Sequence, residues 1–279
     1  MGKQVEALAE MMSGGAVLAV TGAGISTDAG IPDYRGEGRK EEPSVYFDQF
    51  ENDPVWQRWV WQRNEETWRS VAALKPTEGH KALVTLEKAG LLVGVATQNV
   101  DNLHSAAGST NVAELHGSFM RVVCLQCRKV FPRDGIVNDI IQSANPNITL
   151  DPDPAHAAVL ASADRPQAEK STFTVPLCPN CGGLLKPDII FFGESLPGEP
   201  LEKAFDMARR ADFVLVAGSS MYVQTGVWVV REALAHGARL GVVNRGVTAV
   251  DNIADIRIEG GCSEVLSEVA AMLVQGKDM

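Results

Sequence analysis

The sequence predicts an α/β fold in which a doubly wound parallel sheet carries a second, smaller lobe. Short apolar runs alternate with helical patterns along most of the chain, and this alternation is typical of parallel strands joined by crossover helices. A glycine-rich turn follows directly on the first apolar run. Two stretches, 36–76 and 119–187, break the alternation, so we expect them to build the smaller lobe.

The individual elements are predicted from the lengths and spacing of the apolar positions. Six apolar runs are predicted as strands: 16–20, 91–97, 188–192, 213–218, 239–244 and 255–259. Amphipathic stretches are predicted as helices: 1–12, 77–89, 200–210, 225–236, 262–275 and a segment around Trp56, Trp59, Trp61 and Trp68. The large domain is expected to comprise 1–35, 77–118 and 187–279, and the small lobe 36–76 and 119–186.

The glycine-rich turn lies in the run TGAGISTDAGIPDYRG, from Thr21 to Gly36. A strand that leads into closely spaced glycines brings backbone N–H groups up to a diphosphate, so the run predicts a dinucleotide site on a Rossmann-like sheet. The redox fingerprint is incomplete, because Thr27 stands where its third glycine belongs and no acidic strand end follows about 20 residues later. We therefore expect the dinucleotide to serve a reaction other than hydride transfer.

The acidic composition limits the expected partners and location. The chain has 279 residues, with 35 acidic and 25 basic side chains and a formal charge of −10, which argues against non-specific nucleic-acid binding. No apolar stretch approaches the roughly 20 residues of a membrane span, and the first twelve residues lack the apolar core of a signal peptide. We expect a cytoplasmic protein with no membrane partner.

Two cysteine pairs predict a metal site. Cys124 and Cys127 form one C-x-x-C pair, and Cys178 and Cys181 form the other. Each spacing lets a tight turn direct two thiolates at one ion, and four thiolates close the shell of a structural Zn²⁺. Unlinked core cysteines and a redox pair remain alternatives. The fifth cysteine, Cys262, is interpreted as a buried or site-adjacent thiol at a helix start.

Polar residues follow the second predicted strand, in the run Thr97 to Asp101. The carboxyl ends of parallel strands carry the ligand sites of open α/β sheets. His116, in Leu-His-Gly-Ser, is expected at a neighbouring edge, where an imidazole can remove a proton from a hydroxyl group near neutral pH. A structural histidine, a catalytic His104 and a simple turn cap at Asn99 and Asp101 remain open alternatives. The other histidines, His80, His156 and His236, are interpreted as solvated or structural.

Seven motifs in order resemble those of the sirtuins, the NAD⁺-dependent protein lysine deacylases. They span about residues 17 to 266 and read GAGIS-x-x-x-GIPDYRG, TQNVD-x-LH, ELHGS, the double C-x-x-C, KPDIIFFGE, GSS and VVNRG. The phrases around 100–109 and 175–178 are most similar to the class II branch. Tyr34 and Ala29 depart from the commoner Phe and Ser, and the segment between the cysteine pairs is long.

The resemblance implies roles for matching residues. Asn99, Asp101 and His116 would be catalytic, with His116 as the general base. NAD would be bound by Gly22, Ala23, Gly24, Ile31, Asp33, Tyr34, Arg35, Gln98, Gly218, Ser219, Ser220, Asn244, Arg245, Gly246 and Cys262. The acylated lysine of a protein substrate would meet Ile190, Phe192, Gly193, Glu194 and Val223, with the peptide added as a strand between the lobes.

The implied reaction transfers the acyl group from lysine to ADP-ribose and releases nicotinamide and O-acyl-ADP-ribose. A mono-ADP-ribosyltransferase or NAD glycohydrolase, and a non-catalytic NAD sensor or zinc-bearing interaction module, are the alternatives. No tyrosine is followed three residues later by arginine, the pair that binds acidic acyl groups in some sirtuins. We therefore expect neutral acyl groups to be preferred, and the segment 128–177 to reach the acyl tunnel.

Overall fold

This computed structural model describes residues 2–32, 45–152 and 165–275. The strands are β1 Val17–Thr21, β2 Leu92–Thr97, β3 Val112–Glu114, β4 Gly117–Cys124, β5 Val130–Pro132, β6 Leu185–Ile189, β7 Phe213–Ala217, β8 Arg239–Asn244 and β9 Ile256–Glu259. The helices are α1 Gly2–Met12, α2 Phe47–Asn52, α3 Pro54–Val71, α4 Glu78–Lys88, α5 Leu103–Ala107, α6 Ile136–Ala144, α7 Arg165–Ala168, α8 Gly198–Arg209, α9 Gln224–Ala235 and α10 Cys262–Gln275. Short 3₁₀ turns occupy Ala23–Ile25, Thr27–Ala29 and Asp251–Ile253.

The large sheet has six parallel strands in the order β3-β2-β1-β7-β8-β9. Its central strands β1 and β7 are buried along their whole length and are apolar except for Thr21 at the end of β1, as expected of strands covered on both faces. The strand order reverses between β1 and β7, where Val17 pairs with Phe213. In open α/β sheets, this reversal creates a crevice at the carboxyl ends of the strands.

Helices cover both faces of the large sheet, and side chains of successive strand residues pack on opposite sides. Leu215 of β7 joins a core with residues of α1, α4 and α10, whereas Val214 and Val216 join a core with residues of α8 and α9. Helix α4 begins at a capping box, because Thr77 accepts from the backbone of His80 and His80 accepts from the backbone of Thr77. The helices therefore bury both faces of the large sheet.

A second core lies beside the carboxyl end of the large sheet, around the antiparallel strands β5-β4-β6 and helix α3. Trp61 is fully buried there, and its indole Nε1 donates to the carbonyl oxygen of Leu185 at 3.0 Å. The buried guanidinium of Arg133 pairs with Glu65 and lies 4.5 Å from the centroid of the Trp68 ring. The tryptophan-rich helix thus fixes the small lobe through both apolar and charged contacts.

The predicted α/β fold is confirmed, but the strand prediction for 188–192 is wrong. The strand β6 ends at Ile189 and belongs to the small antiparallel sheet, because it pairs with β4. Strands β3, β4 and β5 were not predicted: β3 and β5 have three residues each, and β4 carries no clear alternation. The division into domains stays a prediction, and β4 and β6 cross its boundaries after residues 118 and 186.

Among the described residues, no helix is both long enough and apolar enough to cross a membrane.

Candidate active site

Two glycine-rich loops meet at the carboxyl ends of β1 and β7. The backbone N–H of Gly24 donates to the carbonyl oxygen of Gly218 at 2.8 Å. A Cβ atom on Gly22 would lie 2.8 Å from the Cβ of Ser219, and one on Gly24 would lie 2.8 Å from the Cα of Gly218. Such distances exclude side chains, so the glycines let two backbones form one close-packed floor at the crevice.

Asn99, Asp101 and Ser26 form a buried polar cluster beside this floor. Ser26 Oγ donates to Asp101 Oδ2 at 2.6 Å, and Asn99 Nδ2 lies 3.2 Å from Asp101 Oδ2 and 3.2 Å from the carbonyl oxygen of Gly22. Burial raises the pKa of Asp101, while Ser26, the backbone N–H of Leu103 and Asn99 oppose that rise. The cluster ties the loop after β2 to the loop after β1.

His116 lies between β3 and β4 and is half-buried. Its Nδ1 is 3.0 Å from the carbonyl oxygen of Gln98, and its Nε2 is 2.8 Å from the hydroxyl oxygen of Thr225. A carbonyl oxygen can only accept, so the proton of the neutral ring belongs on Nδ1 and Nε2 is an acceptor. Burial lowers the pKa of His116. The ring is therefore held in the neutral, basic form.

The turn after β6 presents the predicted substrate residues. Glu194 Oε2 accepts from the backbone N–H of Phe191 at 3.0 Å and from Lys186 Nζ at 3.1 Å. Gly193 has φ +79°, and a Cβ there would lie 3.4 Å from the ring of Tyr46. Phe192 is exposed, and its carbonyl oxygen accepts from the backbone N–H of Phe47. The turn is thus held by the small lobe with an aromatic side chain outward.

The remaining predicted cofactor residues lie mostly after β8 and at the start of α10. Asn244 donates from Nδ2 to the carbonyl oxygens of Arg245 and Gly246 at 2.8 and 3.0 Å. Cys262 is the first residue of α10, and burial raises the pKa of its thiol to about 12. Ile31 is buried in the small-lobe core. Asp33, Tyr34 and Arg35 lie outside the described residues.

The four paired cysteines converge in the small lobe, with their sulfur atoms within 4.8 Å of one another. The Sγ atoms of Cys124 and Cys181 are 3.6 Å apart, and those of Cys127 and Cys178 are 3.8 Å apart. A tetrahedral ion with Zn–S bonds of about 2.3 Å places its ligands ~3.8 Å apart. The cluster therefore fits one zinc ion. A Cβ on Gly183 would lie only 3.2 Å from Cys124 Sγ, so a side chain at this position would crowd the cysteine.

Comparisons of this chain with a family profile, with related sequences and with solved structures all identify one family. A profile of the Sir2 family matches residues 22–225. The chain belongs to the Sir2 family. A relative from Mycobacterium avium (strain 104), named NAD-dependent protein deacetylase 1, is 41% identical over 264 residues, which cover 94% of this chain and 93% of the relative. A similarly named protein of Streptomyces coelicolor is 40% identical over 269 residues, covering 95% and 89%.

A solved crystal structure of a Sir2 homologue in complex with NAD is 30% identical to this Sir2-family chain, with a TM-score of 0.74. The match covers 97% of this chain and 94% of the other. The sirtuin resemblance is thus confirmed, and assignment to the class II branch stays a prediction. The predicted cluster of four cysteines, with a geometry that fits zinc, is also confirmed.

His104, the alternative catalytic histidine considered from the sequence, is buried in this Sir2-family chain. It is 2% exposed, its Nε2 lies 2.8 Å from Thr21 Oγ1, and its ring packs edge-on against His80 at 4.6 Å between centroids. His80 is fully buried, whereas His236 is exposed. His156 lies outside the described residues. These contacts favour His116 as the functional base.

The sequence analysis did not predict three residues that hydrogen-bond to site side chains in this Sir2-family chain. Thr225 contacts His116, Ser26 contacts Asp101, and Lys186 contacts Glu194. Ser26 and Lys186 lie inside the quoted motifs, so their positions carried the signal. Thr225 is at the start of a helix, where a threonine is ordinary and gives no sign of a catalytic contact.

Proposed function

We propose that the crevice at the carboxyl end of the large sheet transfers the acyl group of an acylated protein lysine to the ADP-ribose part of NAD. The chain is an NAD-dependent protein deacylase of the Sir2 family. Nicotinamide, free lysine and O-acyl-ADP-ribose are the products. The observation that carries the proposal is the neutral His116 ring, whose Nε2 is an oriented proton acceptor at the sheet edge.

The described residues fit NAD. The glycine floor formed by Gly22, Gly24 and Gly218 is the kind of backbone surface that accepts a diphosphate. Asn99 uses its Nδ2 for contacts within the protein, and no hydrogen bond to its Oδ1 occurs among the described residues. That oxygen can accept from the amide N–H of the nicotinamide, with Asp101 holding the Asn99 side chain in place. Bound NAD supplies the ribose carbon that receives the acyl oxygen.

The other residues are assigned by their positions around this centre. The loops that flank the glycine floor contain Gln98, Ser219 and Ser220. The end of β8 carries Asn244, Arg245 and Gly246, and α10 begins at Cys262. We propose that these residues bind NAD together with Ala23, Ile31, Asp33, Tyr34 and Arg35. Ile190, Phe192, Gly193 and Val223 would face the acyl-lysine. Glu194 is assigned to shape the turn, because its carboxylate already binds Lys186 and Phe191.

The zinc ion is assigned a structural role. Four thiolates fill a tetrahedral shell, so the ion would have no open position for substrate or water. It would fix the turns that flank β4 and β6 and thereby the small lobe beside the crevice. We propose a cytoplasmic location, because paired cysteines in a reducing compartment serve metals rather than disulfides.

The base role predicts that His116→Ala lowers the rate of O-acyl-ADP-ribose formation by about 10²–10⁴-fold, the usual contribution of a general base. NAD affinity and thermal stability should change little. Mass spectrometry of products from an acetylated peptide and NAD measures the effect, with the exposed His236→Ala as a control. Because burial lowers the pKa of His116, the ring stays neutral below the pH at which a free imidazole gains its proton, so wild-type activity should persist below about pH 6.5 before it falls.

A His116→Ala rate within a few-fold of wild type would contradict the base assignment. Product analysis also separates the alternative functions. An ADP-ribosyltransferase yields ADP-ribosylated protein, and a glycohydrolase yields free ADP-ribose, whereas only deacylation yields O-acyl-ADP-ribose.

A further inference from the structure

The hydroxyl group of Thr225 is hydrogen-bonded to Nε2 of His116, the nitrogen that would act as the base. Its Oγ1 lies 2.8 Å from His116 Nε2, and the threonine side chain is buried, with 6% of the residue exposed. Because Nδ1 of His116 donates to the Gln98 carbonyl, Nε2 must accept. The hydroxyl hydrogen of Thr225 therefore points at His116.

Gln98 fixes the other side of the Thr225 hydroxyl. Its Nε2 donates to Thr225 Oγ1 at 3.2 Å, and its Oε1 accepts from Ser219 Oγ at 2.9 Å. The same Nε2 also donates to the carbonyl oxygen of Val223 at 3.2 Å, and because a carbonyl can only accept, the amide has one favourable orientation. The hydrogens of Ser219, Gln98 and Thr225 thus all point along one chain that ends at His116.

This arrangement leaves the Thr225 hydroxyl with one unused acceptor position. A hydroxyl group donates once and can accept twice; the donation goes to His116 and one acceptance comes from Gln98. A substrate hydroxyl could reach His116 directly only by displacing Thr225. Displacement would leave a buried hydroxyl hydrogen without its acceptor, which is unfavourable.

We propose that Thr225 is a catalytic residue that relays the ribose proton to His116; the inference rests on the proposed role of His116 as base. The ribose O–H bond breaks and its proton moves to Thr225 Oγ1, while the proton of Thr225 moves to His116 Nε2. The electron pair left on the ribose oxygen forms the new bond to the acyl carbon. Thr225 ends neutral, and His116 holds the proton as imidazolium until water takes it.

The relay acts after nicotinamide has left. Removing the Thr225 hydroxyl should therefore slow the formation of O-acyl-ADP-ribose without slowing the release of nicotinamide. Thr225→Val keeps the shape but lacks the hydroxyl. We expect it to lower O-acyl-ADP-ribose formation by about 10²-fold, at the lower end of the range for proton-transfer groups. Exchange of labelled nicotinamide into NAD in the presence of acetylated peptide should stay near wild type. Thr225→Ser, which restores a hydroxyl, should recover most of the product rate.

Thr85→Val is the matched control, because it removes an exposed hydroxyl on α4 whose one hydrogen bond within the described residues is to the Lys81 carbonyl. Single-turnover product formation in mixtures of H₂O and D₂O should give a curved dependence, since two protons move together. A straight dependence, or a Thr225→Val product rate within threefold of wild type, would overturn the relay. If His116→Ala also kept its activity, the base role itself would fail; if only Thr225→Val did, the relay alone would fail.

Discussion

Gly218 shows how the approach of two backbones dictates a single residue. Its φ is +65°, in the left-handed region, and a Cβ there would lie 2.3 Å from the backbone nitrogen of Ile25. Backbone atoms cannot move aside as a flexible side-chain end can. The residue therefore joins the loops after β1 and β7 and sets the floor against which we place the diphosphate.

Gly218→Ala is expected to lower both the stability and the NAD affinity. The left-handed backbone costs about 1–2 kcal/mol for alanine, and the overpacking adds about 1–3 kcal/mol. Gly237→Ala is the matched control, since Gly237 has φ +93° and no atom lies within 4 Å of the position that its new methyl group would take. Urea unfolding and NAD titration measure the two effects. Equal losses for both variants would contradict the proposed clash.

At this scale, the sequence could predict residues whose type is restrictive and whose motif is contiguous. The glycines and His116 are of this kind, because few other residues fill a close backbone approach or titrate near neutral pH. Thr225 could not be predicted, since it meets His116 only through folding and lies far from it in the chain. The preference for neutral acyl groups stays a prediction.

Among the elements, the zinc-binding turns decide how the small lobe is held. Cys124 ends β4, and the second cysteine pair precedes β6, which pairs with β4. The backbone N–H of Cys178 donates to the Gly183 carbonyl at 2.8 Å, closing the turn around its pair. One ion would therefore join the two strands beyond the end of their hydrogen-bonded ladder.

Cys178→Ser should release zinc and lower the melting temperature, because a closed thiolate site contributes its binding energy to folding. Deacylation should fall as the small lobe loosens. Metal analysis should find about one zinc per wild-type chain and much less in the variant. Cys262→Ser removes a thiol outside the cluster and should keep its zinc. A Cys178→Ser protein with a full zinc content would refute the four-thiolate site.

Element boundaries follow from the sequence where the apolar pattern is long. The strands β1, β2, β7, β8 and β9 and the helices α4, α8, α9 and α10 lie within a few residues of their predicted bounds. The strand predicted at 188–192 was assigned to the wrong sheet, because an apolar run does not indicate which strand it will pair with. Pairing with β4, which depends on the small-lobe core, placed that strand in the antiparallel sheet.

Across the whole molecule, buried histidines couple stability to pH. His80 and His104 lie inside the large domain, where burial lowers the pKa of His80 to about 4 and lowers that of His104 as well. An unfolded histidine has a pKa of about 6.5. Between these values the unfolded chain binds protons that the folded chain does not, so the stability falls as the pH is lowered.

The free energy of unfolding should therefore decrease by about 3 kcal/mol from His80 alone between pH 6.5 and 4. Urea unfolding at several pH values measures the total slope. His80→Gln should reduce that slope, whereas His236→Gln, at an exposed position, should not. An unchanged slope in His80→Gln would show that other groups carry the acid sensitivity.

The pairing of β1 with β7 also sets the order of events during synthesis. β1 leaves the ribosome early and β2 follows the first part of the small lobe, but β7 emerges only after both parts of that lobe. Until then, the loop at Gly22 and Gly24 has no opposing loop at Gly218. With the diphosphate placed on this floor, a nascent chain binds NAD only after β7 has been made, so NAD binding reports that β1 and β7 have paired.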